Sequence, residues 1–159
     1  LAVAIILCVN AMEIVINNKL IDRFKAVKRL DKAKLVEEDR SLSLDDKFTW
    51  LLNDAFGFSL ENENTLWDWF RDIKNMRNKI VHLKKDILVI EIESKVNSGK
   101  KRRLDEAFVK EAIKYTQNIL DFLKLILDNE GKLVINKEDE IIAACLVCED
   151  GAQVMRTNT

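Results

Sequence analysis

The sequence has no proline and only 4 glycines among 159 residues. Residues that break helices are therefore scarce, and a turn-rich all-β fold is not favoured. Apolar residues make up 48% of the chain and charged residues 33%, a balance typical of amphipathic helices around a core. A chain of this length can form one domain without disulfides or metal. We expect a single, mainly helical domain.

An excess of charge is also absent, because 26 Lys and Arg stand against 27 Asp and Glu. The chain as a whole is not attracted to nucleic acid or to an anionic membrane, so any RNA-binding surface has to be a local patch. Cysteine is scarce, and Cys8, Cys145 and Cys148 lack the spacing of a disulfide framework. This pattern indicates reduced thiols in the cytoplasm. The CxxC pair alone predicts neither a zinc site nor a thioredoxin-like site, and we expect no metal and no cofactor.

Long apolar runs are limited to the segment from Leu1 to Ile16. It is shorter than the ~20 residues of a membrane span, contains Glu13 and has no basic leader, so we expect neither a span nor a signal peptide. Because the chain begins with Leu, missing upstream residues would change this expectation. Asn10, Glu13 and Asn17 share one stripe of the predicted helix. They indicate either the hydrogen-bonded edge of a core helix or a catalytic contribution from Glu13.

Apolar residues at helical spacing predict further helices. We expect Lys19 to Leu30 to continue the first helix, and Ser43 to cap the next one, which ends at Gly57. Thr65 and Asp68 have the spacing of a capping box that starts a third helix. The residues expected in the core are Phe48, Leu52, Trp69, Ile73, Met76, Phe108, Ile119 and Phe122.

Beyond the third helix the pattern changes. Between Asp86 and Val96, Leu88, Ile90 and Ile92 alternate with charged residues, which is typical of a short strand or irregular arm. After a break at Asn97, a long helix introduced by the basic residues 100–103 is predicted to reach about residue 128.

His82 is the only histidine of the chain. Imidazole is the side chain whose ordinary pKa, ~6.5, suits proton transfer in both directions near neutral pH. Arg77 lies five residues earlier, and its guanidinium can hold two oxygens of a phosphate. Asn78 adds a neutral hydrogen-bonding group. The three residues together indicate a phosphodiester site.

Helical geometry places Asn78 and His82 on one face, whereas Arg77 and His82 differ by about 140°. Two arrangements remain open: the helix unwinds at His82, or Arg and His meet around a cleft shared with a second copy of the chain. A third interpretation is a surface helix end, where a cation favours the dipole and the histidine caps carbonyl groups.

The run MRNKIVH ends a helix with Trp and Phe before it, and a loop and a helix beginning RRLDEAF follow. This arrangement resembles the HEPN superfamily, whose members are helical bundles marked by an Arg, a following polar residue and a His four to six positions beyond the Arg. The resemblance covers roughly Ala2 to Leu127. It implies an all-α, up-and-down bundle of four to five helices over 1–130, with a short strand or irregular arm after the helix that carries MRNKIVH, the motif helix. The remaining residues, 131–159, are expected to be a partly disordered extension.

In ribonuclease members of that family, the Arg and His of two protomers line a cleft at a twofold interface, and RNA is cut without metal. The resemblance implies catalytic roles for Arg77, Asn78 and His82 in a homodimer, with 2′,3′-cyclic phosphate and 5′-hydroxyl products. It also implies a toxin or phage-defence effector, paired with an antitoxin or a nucleotidyltransferase-like partner. The alternative is a non-catalytic HEPN-like dimeric module that binds a nucleotide or a protein.

Basic residues surround the motif and form a second cluster before the last helix. They indicate an RNA backbone site, and the alternative is a solvated helix face. The predicted RNA-binding residues are Arg71, Lys74, Lys79, Lys84, Lys85, Arg102 and Arg103.

Overall fold

The computed structural model describes residues 1–83 and 89–128, and over these residues the chain forms five helices and a two-stranded antiparallel sheet. It confirms the predicted all-α bundle with a short strand after the motif helix. We call residues 91–103, which contain this sheet, the arm. The elements are α1 (Ala2–Ala26), α2 (Leu30–Glu38), α3 (44–56), α4 (Asn64–Val81), β1 (Glu91–Glu93), β2 (Lys101–Arg103) and α5 (Glu106–Asp128).

Helix α1 lies at the centre of the bundle and contacts each of the other four helices. Its apolar residues recur every three to four positions, so one stripe faces the core along its whole length. The buried members of that stripe are Ile5, Cys8, Val9, Met12, Ile16, Leu20 and Phe24.

By length and composition alone, α1 is also apolar enough to cross a membrane. In the bundle, 33% of the most apolar 18-residue segment of α1 is buried. The core helix of a soluble protein and a signal sequence both meet the same criterion, so the expectation of neither a span nor a signal peptide stays a prediction. The face of α1 opposite the core carries Val3, Leu7 and Ile14, which are exposed.

The core contains every residue that the helical spacing placed there, and each is at most 7% exposed. Fully burying one such apolar side chain stabilises the fold by roughly 1.5–3 kcal/mol. Aromatic pairs join the helices at two levels. Phe48 and Phe70 lie 4.8 Å apart between α3 and α4, and Trp69 stacks on Tyr115 of α5 at 4.3 Å.

Three local predictions are wrong. The first helix ends at Ala26, because a turn with Lys28 at a φ of 60° precedes α2. Helix α4 already begins at Asn64, so the capping box predicted at Thr65 does not form. Residues 101–103 form β2 and not a helical turn, and α5 starts only at Glu106.

The start of α5 is explained by a cap that the sequence prediction missed. The Phe108 backbone N–H donates to the side chain of Asp105 at 2.8 Å, which satisfies an otherwise free helix donor. The predicted extension at 131–159, with Cys145 and Cys148, lies outside the described residues.

Helix α3 begins and ends as its sequence predicts. The Ser43 hydroxyl accepts from the Asp46 backbone N–H at 3.1 Å, and the Asp46 carboxylate accepts from the Ser43 N–H in return. Gly57 ends the helix with a φ of 74°, a conformation that favours glycine. Between these ends, Lys47–Leu51 is π-helical, and the Thr49 hydroxyl donates to the Asp45 carbonyl oxygen.

Replacing the cap residue tests this local account. Ser43→Ala should lower the free energy of unfolding by about 1 kcal/mol, because a helix N–H loses its partner. The hydrogen bond from the Ser43 hydroxyl is the main cause that holds the pKa of Asp46 below its usual range. A lowered folded-state pKa stabilises the protein above the ordinary aspartate value and ceases to do so as the pH falls through the folded-state value.

The difference between wild type and Ser43→Ala should therefore shrink in acid, measured by urea unfolding at pH 7 and at about pH 3. Ser98→Ala, at an exposed serine in the turn of the arm, is the control and should unfold like the wild type. A difference that grows towards low pH would contradict the assignment of the capping box.

Candidate functional site

A groove of about 850 Å³ lies between the last turns of α4 and the arm. One wall comes from α4 and the two residues after it, and the other comes from the arm and the chain leading into it. The described residues that line it are Asn75, Asn78, Lys79, His82, Leu83, Val89, Ile90, Glu91, Ile92, Glu93, Lys95 and Lys101.

His82 occupies the C-cap of α4, and its side chain is exposed in this groove. Its backbone N–H still donates to the Asn78 carbonyl oxygen at 3.0 Å, so the residue keeps its place in the last helical turn. Asn78 lines the same groove. The predicted common face of Asn78 and His82 is therefore present.

Arg77 does not line the groove with them. Its Nη1 donates to the Asn78 side-chain oxygen at 3.1 Å, while its buried Nε has no partner among the residues that the structure describes. Helix α4 ends at Val81, and His82 already has a non-helical backbone conformation, with φ −99° and ψ 21°. Both arrangements for bringing Arg77 and His82 together therefore stay open, and within one chain Arg77 contacts Asn78 without lining the groove.

The groove carries charges of both signs. Lys79 comes from α4, whereas Lys95 and Lys101 come from the arm. Glu91 and Glu93 lie on the same wall as the arm lysines, and Glu93 is paired in register with Lys101. Among the described lining residues, three lysines and two glutamates give a modest excess of positive charge, whereas the chain as a whole has a net charge of -1.

The residues predicted to bind RNA separate into different environments. Lys79 lines the groove, but Lys74 pairs with Asp45 on α3, and Arg71 lies over the Trp67 ring at 5.9 Å. Lys84 and Lys85 lie outside the described residues.

The two arginines of the second basic cluster, Arg102 and Arg103, also lie in different environments. Arg103 is exposed on β2, opposite Glu91. Arg102 is held inside the fold with its side chain 15% exposed, 4.2 Å from the Trp69 ring and 5.2 Å from the Phe108 ring, and it pairs with Glu111. Its contacts are those of a packing residue.

Sequence reasoning missed Asp72, whose side chain is completely buried beneath the arm. It accepts hydrogen bonds from the Ser94 hydroxyl and the Lys95 backbone N–H, both at 2.6 Å. A signal was present, because Asp72 follows Trp69 by three residues and precedes Met76 by four. A carboxylate at that spacing borders the core face of the helix.

Glu13 has a structural partner in Lys47, whose side chain is 6% exposed and lies 3.1 Å from the Glu13 carboxylate. This ion pair joins α1 to the π-helical part of α3. A buried lysine requires such a partner, so the contact favours the interpretation of Glu13 as the hydrogen-bonded edge of a core helix. Glu13 does not line the groove.

No family model matches the chain, and neither the curated proteins nor the solved structures contain a match to it. In the described part of the chain, no group of three or more His, Cys, Asp or Glu side chains is arranged to hold a metal ion.

Arg102 and Arg103 offer a matched test of these placements. Arg102→Ala should lower the free energy of unfolding by roughly 2 kcal/mol, because it removes two ring contacts and leaves Glu111 and Asp72 without a cation. Arg103→Ala, at an exposed position, should change it by less than about 0.5 kcal/mol. Chemical unfolding of the two variants measures the contrast, and equal losses would show that Arg102 is not held as described.

Proposed function

We propose that the protein is a metal-independent endoribonuclease of the HEPN type, with Arg77, Asn78 and His82 as its catalytic residues. The observation that carries this proposal is the exposed imidazole of His82, which shares a groove with Asn78 and three lysines. A proton-transfer group beside an amide and several cations is the chemistry that a phosphodiester substrate requires.

The dimensions of the groove support a nucleic acid strand as the ligand. Its volume of about 850 Å³ lies within the ~300–1,000 Å³ of small-ligand sites, so it can hold a nucleotide or two of a longer strand. Lysines on both walls can contact the backbone phosphates. Leu83 and Val89 are exposed apolar groups at the same site and can contact a base.

Cleavage would proceed by attack of a ribose 2′-oxygen on the adjacent phosphorus. A new 2′-oxygen–phosphorus bond forms while the bond to the 5′-oxygen of the next nucleotide breaks. One imidazole removes the proton of the 2′-hydroxyl, and the leaving 5′-oxygen receives a proton from a second acid. The products are a 2′,3′-cyclic phosphate and a 5′-hydroxyl end, and the Arg77 guanidinium would neutralise charge on the phosphorane.

A second copy of the chain would supply what one chain lacks. Arg77 does not line the groove with His82, and one histidine cannot be acid and base in the same step. Val81, Leu83 and Val89 surround His82 with an exposed apolar rim, 53%, 42% and 39% exposed respectively. Such a rim is suited to contact with a partner. We propose a twofold homodimer in which both copies of the motif face one cleft.

A second candidate is a non-catalytic HEPN-like dimeric module that binds a nucleotide or a protein. The observation that favours it is the pair of carboxylates, Glu91 and Glu93, on the wall that a phosphate backbone would approach. For the enzyme, the proposed setting is a toxin or phage-defence system in the cytoplasm. An antitoxin or a nucleotidyltransferase-like protein is the partner proposed there.

Loss of His82 distinguishes the two candidates. His82→Ala should abolish cleavage of labelled RNA in EDTA and leave the melting temperature nearly unchanged, because the side chain is exposed and makes few packing contacts. Analysis of the ends should find cyclic phosphates only with the wild type. Val27→Ala, at the exposed C-cap of α1, is the matched control and should cleave normally. A His82→Ala protein as active as the wild type would rule out the acid–base role.

Subunit exchange tests the shared cleft. Arg77→Ala and His82→Ala homodimers should each be inactive. Where a site takes Arg from one chain and His from the other, their heterodimer contains one intact site, and part of the activity returns. Where each site needs both residues from both chains, no mixture is active. Sedimentation supplies the opposing outcome, because a monomer that cleaves RNA at full rate would exclude the dimeric site.

A further inference from the structure

The wall of the groove that faces His82 is attached to α4 by one buried carboxylate. Asp72 has no exposed surface, and its two oxygens accept from the Ser94 hydroxyl and the Lys95 backbone N–H at 2.6 Å. Both donors follow β1 directly. The carboxylate therefore fixes the point at which the chain leaves the first strand.

Further hydrogen bonds and an ion pair extend this attachment to the turn of the arm and to its second strand. The Ser94 side-chain oxygen also accepts from the Asn97 backbone N–H at 3.0 Å, and the Ser94 N–H donates to the Lys100 carbonyl oxygen at 2.9 Å. The Arg102 guanidinium on β2 lies 4.0 Å from Asp72. Both strands of the arm thus converge on one side chain of α4.

The arm carries much of the described lining of the groove. Glu91, Glu93, Lys95 and Lys101 belong to it, and they stand opposite Asn78 and His82. Each of these four side chains is exposed and the strands are only three residues long. Packing of Ile92 is a contact without directional preference, so hydrogen bonds must set the register of the arm on the helix.

A buried carboxylate is costly unless it is fully hydrogen-bonded, and an apolar residue of similar size would pack α4 against the arm at lower cost. Unlike an apolar residue, the carboxylate also fixes the orientation of the arm relative to α4, because its oxygens accept only from donors at defined positions. The site of this unusual burial is the junction between the arm and the helix that ends at His82.

We propose that Asp72 is a positioning residue for the groove: it holds the arm so that Lys95 and Lys101 face His82 across a bound single strand of RNA. This inference rests on the proposed ribonuclease function. Asp72 itself would not touch the RNA, since it has no exposed surface.

The test uses the full chain with Asp72→Ala, Asp72→Asn and Ser94→Ala. The control is Asp68→Ala, because Asp68 lies one turn earlier on α4 and is not among the residues that line the groove or bind the arm. Amide hydrogen exchange of 91–95 reports the attachment of the arm. Binding of a short 2′-O-methyl oligoribonucleotide, which cannot be cleaved by 2′-hydroxyl attack, is followed by the NMR signal of the single histidine.

Asp72→Ala should speed exchange at Lys95 by about 10-fold or more and weaken oligonucleotide binding by about 10-fold, because hydrogen bonds to a charged group are lost. Asp72→Asn keeps an acceptor for Lys95 and a donor for Ser94, and should recover most of both properties. A merely structural role would lower stability without this recovery of affinity. Ser94→Ala should give an intermediate result, and Asp68→Ala should match the wild type.

Wild-type exchange and affinity in Asp72→Ala would overturn the proposal. If that variant does not fold, wild-type exchange and affinity in Ser94→Ala would overturn it equally, because removal of the hydroxyl must loosen an arm that depends on it. The proposed function fails in a different way: the oligonucleotide then shifts the histidine signal of no variant, the wild type included. In that case, amide hydrogen exchange of 91–95 alone tests whether Asp72 holds the arm.

Discussion

Burial of one face of α4 determines how the polar residues of that helix are placed in the proposed site. Trp69, Ile73 and Met76 face the core, and this fixes the rotation of the helix. Asn78 and His82 then line the groove, which Arg77 does not. On a regular helix, an offset of five residues turns Arg77 about 140° away from His82. This offset is one reason for the proposal that a second copy of the chain completes the site.

The polar contacts around α4 divide into those that stabilise the fold and those that remain available to a ligand. Asp72 and Arg102 are held by the arm, by aromatic rings and by Glu111, so their charges are used within the chain. Lys79 and His82 are exposed in the groove. Because Asp72 contacts the arm and the arm lines the groove, a change in the buried network is expected to alter the site without touching the ligand.

The sequence predicted those features that depend on nearby residues. Apolar spacing identified the core of α3, α4 and α5, and Ser43 and Gly57 mark the ends of α3 through local hydrogen bonds and a local backbone conformation. Contacts between residues far apart in the sequence could not be predicted from it. Three consecutive basic residues at 101–103 suit a helix as well as a strand, and their pairing with 91–93 is what makes them β2. The candidate site was predictable to the same extent. The common face of Asn78 and His82 follows from helical periodicity. The wall opposite them depends on Asp72, which lies more than twenty residues before its partners.

We propose that RNA binds in the groove between α4 and the arm. Photochemical cross-linking with RNA containing 4-thiouridine, followed by mass spectrometry of the peptides, tests it most directly. We expect cross-links in the peptides that contain Lys79 and His82 on one wall and Lys95 and Lys101 on the other. Cross-links confined to α1 and α2, with none in the groove, would contradict it.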